Sequence, residues 1–142
     1  MIESLATKAG AFLVAVALLA SGSAFLAAYQ DLLAAEALRG IAGQIAGDLD
    51  DLARRPPGSR TQLLGESGAA PRLFHGRSYG VTFETHRVML RAGAVDATAS
   101  WSEPLQAAAS DPGLPRTVSS GLEVWAVRTQ DLLDVETVLL VP

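Results

Sequence analysis

The sequence predicts an α+β protein in which one long N-terminal helix packs on a small antiparallel β-sheet domain. Two observations support this prediction. Residues 2–55 contain no proline and keep a helical spacing of apolar side chains, and Pro56 and Pro57 follow directly. Further along, apolar and polar residues alternate, as they do in half-buried strands. We therefore expect a helix over residues 1–55 and a β-rich domain over residues 56–142.

The first half of the predicted helix, residues 5–28, has the composition of a membrane span. No charged side chain occurs from residue 9 to residue 28. As a helix, these residues would extend roughly 30 Å, which matches the hydrocarbon thickness of a bilayer. The span is also rich in small residues, and small side chains let helix backbones approach one another closely in lipid. We expect this half to cross a membrane or to pack against other helices.

The second half of the predicted helix, residues 29–55, is amphipathic. Leu38, Ile41 and Ile45 begin an apolar stripe that recurs at intervals of three and four residues. Such a stripe must be covered, either by the chain's own sheet or by another copy of the chain. The sequence leaves both alternatives open. Pro56, Pro57 and Gly58 predict the end of the helix.

The remainder of the chain predicts a single antiparallel sheet of four to six strands. Residues 104–115 are rich in proline and glycine and predict a loop, with a single helical turn at residues 105–109. The predicted strands are residues 79–83 and 88–91, joined as a hairpin, followed by residues 97–101, 122–129 and 135–141.

Composition excludes several classes of function. The chain has 142 residues, which leaves room for the helix and one small domain. Its net charge of −4 is spread without a basic block, so nucleic acid is not an expected partner. Cysteine is absent, which excludes disulfides, thiolate metal sites and cysteine nucleophiles. Asparagine is also absent, which excludes N-linked glycans.

No motif indicates catalysis or cofactor binding. His75 and His86 are the only histidines, and their spacing does not require a shared metal site. No G-x-S-x-G motif presents a serine nucleophile, and no glycine-rich phosphate loop occurs. Trp101 and Trp125 are interpreted as packing residues of the sheet. We expect neither enzymatic activity nor a cofactor, a metal ion or a small-molecule substrate.

The N-terminus allows two interpretations. Residues 1–24 have the length of a secretory signal peptide that is cleaved near Ala24. We favour a retained helix, because Glu3 offsets the positive charge of Lys8 and the helical pattern continues through the cleavage position. If the helix spans a membrane, Lys8 on one side and Asp31 on the other favour a cytoplasmic N-terminus and an extracytoplasmic C-terminal domain.

A long helix, apolar and then amphipathic, followed by a small β-rich head, resembles the type IV pilin and pseudopilin family. The residues that carry this resemblance are 9–28, the stripe of residues 38–52, and the segment of residues 76–83, which is similar to archaeal pilin-like proteins. The resemblance implies that the apolar half anchors the subunit in the membrane and later packs in the centre of a filament, with the heads outside. In that family a glutamate near the N-terminus pairs with an amine of a neighbouring subunit. Glu3 is the candidate here, although its position is not the usual one.

We therefore predict a structural subunit of a type IV pilus-like cell-surface filament, whose partners are other copies of itself or related pilin-like subunits, and the membrane. The alternative is a single-pass membrane protein whose head binds an envelope component without polymerising. A third interpretation is a secreted hydrolase or binding domain released by cleavage near Ala24. The predicted subunit-packing residues of the helix are Glu3, Lys8, Gly10, Phe12, Val14, Ala17, Ser21, Gly22, Phe25, Leu38, Ile41 and Ile45.

Overall fold

A computed structural model describes residues 2–68, 70–107, 113–129 and 133–138, the last of these as backbone only. The chain divides into two compact units, Met1–Ala34 and Ala35–Pro142. One helix, α1, comprises Ile2–Ala53 and contributes to both units. The eight strands described below belong to the second unit, which we call the head. The predicted fold class, a long N-terminal helix packed on antiparallel sheets, is confirmed.

The C-terminus of α1 comes two residues before the predicted position. After Ala53, the backbone N–H groups of Arg54 and Arg55 donate to the carbonyl oxygens of Asp51 and Leu52. These bonds reach back three residues, so the last turn is tighter than an α-helix. The helix then ends because Pro56 and Pro57 cannot continue the hydrogen-bonding pattern. The proline pair thus marks the end of α1 correctly to within two residues.

Within the described residues the head contains two four-stranded sheets, so the prediction of a single sheet was wrong. In the first sheet the strand order is β1-β7-β8-β5, and in the second it is β4-β3-β2-β6. Every described strand pair is antiparallel apart from β5 and β8, which are parallel. The strands are β1 Arg60–Leu64, β2 Gly80–Phe83, β3 Arg87–Ala92, β4 Val95–Ser100, β5 Leu105–Ala107, β6 Arg116–Ser119, β7 Glu123–Arg128 and β8 Leu133–Val138.

Three strands account for the difference between the predicted single sheet and the two observed sheets. The strands β1 and β6 were not predicted, because neither shows a clear alternation of apolar and polar residues. The predicted helical turn at residues 105–109 was also wrong where the structure describes it. Leu105–Ala107 is a strand that pairs with β8, and the two residues after it lie outside the described residues. Such short strands are specified by their partners in the sheet more than by their own sequences.

The predicted hairpin is confirmed. Strands β2 and β3 pair in register, with Val81 opposite Leu90 and Phe83 opposite Val88. Strand β4 continues this sheet across a two-residue turn in which Gly93 has a φ of +63°. Glycine adopts such a positive φ without the steric penalty of a side chain, so Gly93 favours this turn. The alternation in β2 and β3 places Val81, Phe83 and their partners on the buried face of the sheet.

The head's core lies between the second half of α1 and the buried faces of the strands. From α1 it contains Leu38, Ile41, Ala42, Ile45, Ala46, Leu49 and Leu52, and from the sheets it includes Leu63, Val81, Phe83, Leu90 and Val124. An additional polar contact joins the helix to the strands, because the N–H of Ser102 donates to the Asp50 carboxylate over 3.1 Å. Of the two alternatives for the apolar stripe, the structure shows the first, since the chain's own sheets cover it.

Hydrogen bonds tie the segment between β1 and β2 to Ser120, which lies between β6 and β7. Ser120 is fully buried, and its hydroxyl accepts the N–H of Tyr79 and donates to the carbonyl oxygen of Arg72. The Tyr79 hydroxyl donates to the carbonyl oxygen of Pro71. Burial raises the pKa of Tyr79 to about 12, so this hydroxyl keeps its proton and its donor role to a higher pH than an exposed tyrosine does.

We expect Leu49→Ala to destabilise the head by about 2–5 kcal/mol, because Leu49 is fully buried and its truncation leaves a cavity in the core. The measurement is urea unfolding of the full chain in detergent, followed by the fluorescence of Trp101 and Trp125. Leu32→Ala is the matched control, since Leu32 is 67% exposed on the same helix. If the two variants lost the same stability, the described core would be contradicted.

Candidate functional site

The most unusual surface of the molecule is the apolar side of the first unit. There α1 exposes large hydrophobic side chains along its whole length, and the chain buries none of them. We call this surface the apolar segment. Its large side chains are Ile2, Leu5, Phe12, Leu13, Val14, Val16, Leu18, Leu19, Phe25, Leu26, Tyr29, Leu32 and Leu33.

The apolar segment has the length and composition of a membrane span. Its most apolar window of 18 residues has a mean hydropathy of 2.2, and no residue of that window is buried within the chain. The window therefore differs from a core helix of a soluble protein, which the chain's other elements would cover. A membrane anchor and an N-terminal signal sequence both satisfy this description.

The structure places nine of the twelve predicted packing residues on exposed positions of this segment. Phe12, Val14 and Phe25 are 68%, 60% and 74% exposed, and the predicted small residues lie among them. An added methyl group at Gly10 or Gly22 would meet nothing within 4 Å beyond its chain neighbours and the adjacent turns of helix backbone. The nine residues are Glu3, Lys8, Gly10, Phe12, Val14, Ala17, Ser21, Gly22 and Phe25.

The other three predicted packing residues lie elsewhere. Leu38 and Ile45 are fully buried in the head's core, and Ile41 is 9% exposed. The chain's own sheets therefore occupy the surface that these residues offer. Packing between copies of the chain would therefore use the apolar segment or the exposed side of α1 in the head. We call this exposed side, which lies opposite the buried stripe, the outer face.

One feature of that outer face was not predicted from the sequence. Gly40, Gly43 and Gly47 are all exposed, and a methyl group added at any of them would meet nothing within 4 Å beyond its chain neighbours and the adjacent turns of helix backbone. We call these three residues the glycine face. Glycine in a helix interior is about 0.8–1.0 kcal/mol less favourable than alanine. The fold of the head therefore has no steric need for these glycines, which leave the helix backbone accessible.

Two carboxyl groups of the head, Asp48 and Asp96, have pKa values shifted in opposite directions. Burial, and secondarily the neighbouring Asp51 carboxylate, raise the pKa of Asp48, while Arg55 opposes this shift. The pKa of Asp96 on β4 is lowered instead, because the Arg91 guanidinium on β3 donates two hydrogen bonds to this carboxylate. Acidic side chains are disfavoured at a helix C-terminus, where the partial charge of the helix is negative.

The metal-ligating side chains and the tryptophans of the head are the other candidates for a functional site. Within the described ranges, no group of three or more His, Asp or Glu side chains is placed to hold a metal ion. His75 and His86 are both exposed in turns. Trp101 is buried after the end of β4, and Trp125 lies beneath the Arg60 guanidinium at 5.1 Å from the ring centroid. Both tryptophans thus take part in packing.

No family model matches this chain, and no curated protein or solved structure matches it either. The class of the protein therefore follows from its own structure. It is an α+β protein whose N-terminal helix can cross a membrane over its first half and packs on two small sheets with its second half. This architecture is pilin-like.

We expect Gly43→Ala to stabilise the head by about 0.5–1 kcal/mol, because alanine is the better helix former and the position is open. Thermal unfolding of the purified chain measures the change. Gly65→Ala is the matched control and should be destabilising, because Gly65 has a φ of +129° and its added methyl carbon would lie 2.0 Å from Nε2 of Gln62. A loss of stability in Gly43→Ala would show that this glycine is required within the chain.

We expect Asp48→Asn to raise stability at pH 7 and to leave it unchanged well below pH 3.8, the ordinary pKa of the carboxyl. Because the folded pKa is raised, ionisation destabilises the folded chain, and this effect appears as pH rises through the folded pKa. Asp96→Asn should show the opposite sign at pH 7, since its pKa is lowered in the folded chain. Urea unfolding of both variants at pH 7 and at a pH well below 3.8 measures these changes. Stability changes of the same sign in the two variants at pH 7 would contradict the opposite pKa shifts of Asp48 and Asp96.

Proposed function

We propose that this protein is a structural subunit of a type IV pilus-like cell-surface filament and that it assembles through its hydrophobic N-terminal helix. Its partners are other copies of the chain, or related subunits, and the membrane that holds the subunit before assembly. No nucleic acid or small-molecule substrate takes part, and the role is structural rather than enzymatic. The observation that carries this proposal is the apolar segment.

The size of the apolar segment supports a permanent covering. Complete burial of one large apolar side chain contributes about 1.5–3 kcal/mol. For the whole apolar segment, the gain is therefore of the order of tens of kcal/mol. A lipid bilayer or a bundle of like helices provides such a covering, and a small polar ligand does not.

The small residues of α1 favour helices as the final covering. Within lipid, helices associate through close packing, and small side chains permit that approach. Ala17 and Ser21 lie about one helical turn apart on the same side of the apolar segment, and Gly22 follows Ser21 directly. In the head, the glycine face leaves the helix backbone open to an approaching neighbour. Glycine makes the helix less stable than alanine would at these positions, and packing of another copy against the glycine face would offset this loss.

The alternative is a single-pass, membrane-anchored envelope protein whose head binds a partner without polymerising. The head's complete core favours this alternative, because the amphipathic stripe of α1 needs no second copy. In both proposals the C-terminal domain is extracytoplasmic, as Lys8 and Asp31 favour through the positive-inside tendency. Release of the head by cleavage near Ala24 is the third outcome that an experiment must distinguish.

Electron microscopy of material sheared from native cells, with mass spectrometry of its N-terminus, tests the proposal. We expect filaments that contain this chain with the apolar segment intact. The double variant with Ala17→Leu and Ser21→Leu should abolish the filaments, because larger side chains separate the helices, while the protein remains in the membrane fraction.

Ala94→Leu is the matched control and should leave the filaments unchanged, since Ala94 is exposed in the turn between β3 and β4. A chain found only as a detergent-soluble monomer would overturn the proposal and favour the anchored alternative. A chain that lacks its first two dozen residues would overturn both. Unimpaired filaments in the double variant would contradict the close-packing argument.

A further inference from the structure

We draw no further inference here: the strongest candidate, the shallow groove lined by Gly80, Thr82, Met89, Arg91 and Thr117 on the solvent face of the β4-β3-β2-β6 sheet, carries nothing because nothing in the structure shows what occupies it and its guanidinium is already paired with Asp96.

Discussion

The constraint on which the rest of the structure depends is that α1 presents apolar surface along its whole length, while the chain covers only part of it. In the head, the two sheets bury the stripe that contains Ile45 and Leu49. In the first unit, side chains such as Phe25 remain exposed. Apolar surface on this scale is unfavourable in water, which is why we propose that a bilayer, another helix or both cover the apolar segment.

Of helix α1, the described core of the head includes only the second half. The core side chains of its two sheets form one cluster with the second half of α1. Polar contacts complete it, since Asp50 accepts from Ser102 and the buried Ser120 hydroxyl joins Tyr79 to Arg72. The described core of the head is therefore built from the sheets and the second half of α1. The functional proposal follows from this division between a complete head and an uncovered segment.

Several features of the fold follow directly from the sequence. Proline-free residues followed by Pro56 and Pro57 predict the extent of α1 to within two residues. The spacing of Leu38, Ile41 and Ile45 predicts the buried face of its second half. The alternation of residues 79–83 predicts the hairpin of β2 and β3. In each case a short stretch of sequence is sufficient for the prediction, because helix termination and side-chain direction depend on neighbouring residues.

The number of sheets and the glycine face do not follow from the sequence. Three-residue β5 becomes a strand because β8 lies beside it, and β1 bulges between Gln62 and Leu64 to keep its pairing with β7. Such pairing depends on contacts between distant residues. The sequence shows Gly40, Gly43 and Gly47, but only the packing of the opposite side of the helix reveals that they face away from the core. What covers the apolar segment likewise depends on molecules other than this chain.

Because the chain contains no cysteine, single introduced cysteines can measure that covering directly in intact cells. The measurement compares the rate at which a membrane-impermeant maleimide labels Leu19→Cys in the apolar segment with its rate at Thr98→Cys on the exposed face of β4. We expect rapid labelling at residue 98, and labelling at residue 19 only after denaturation. Equal rates at the two positions in intact cells would contradict the claim that the apolar segment is covered.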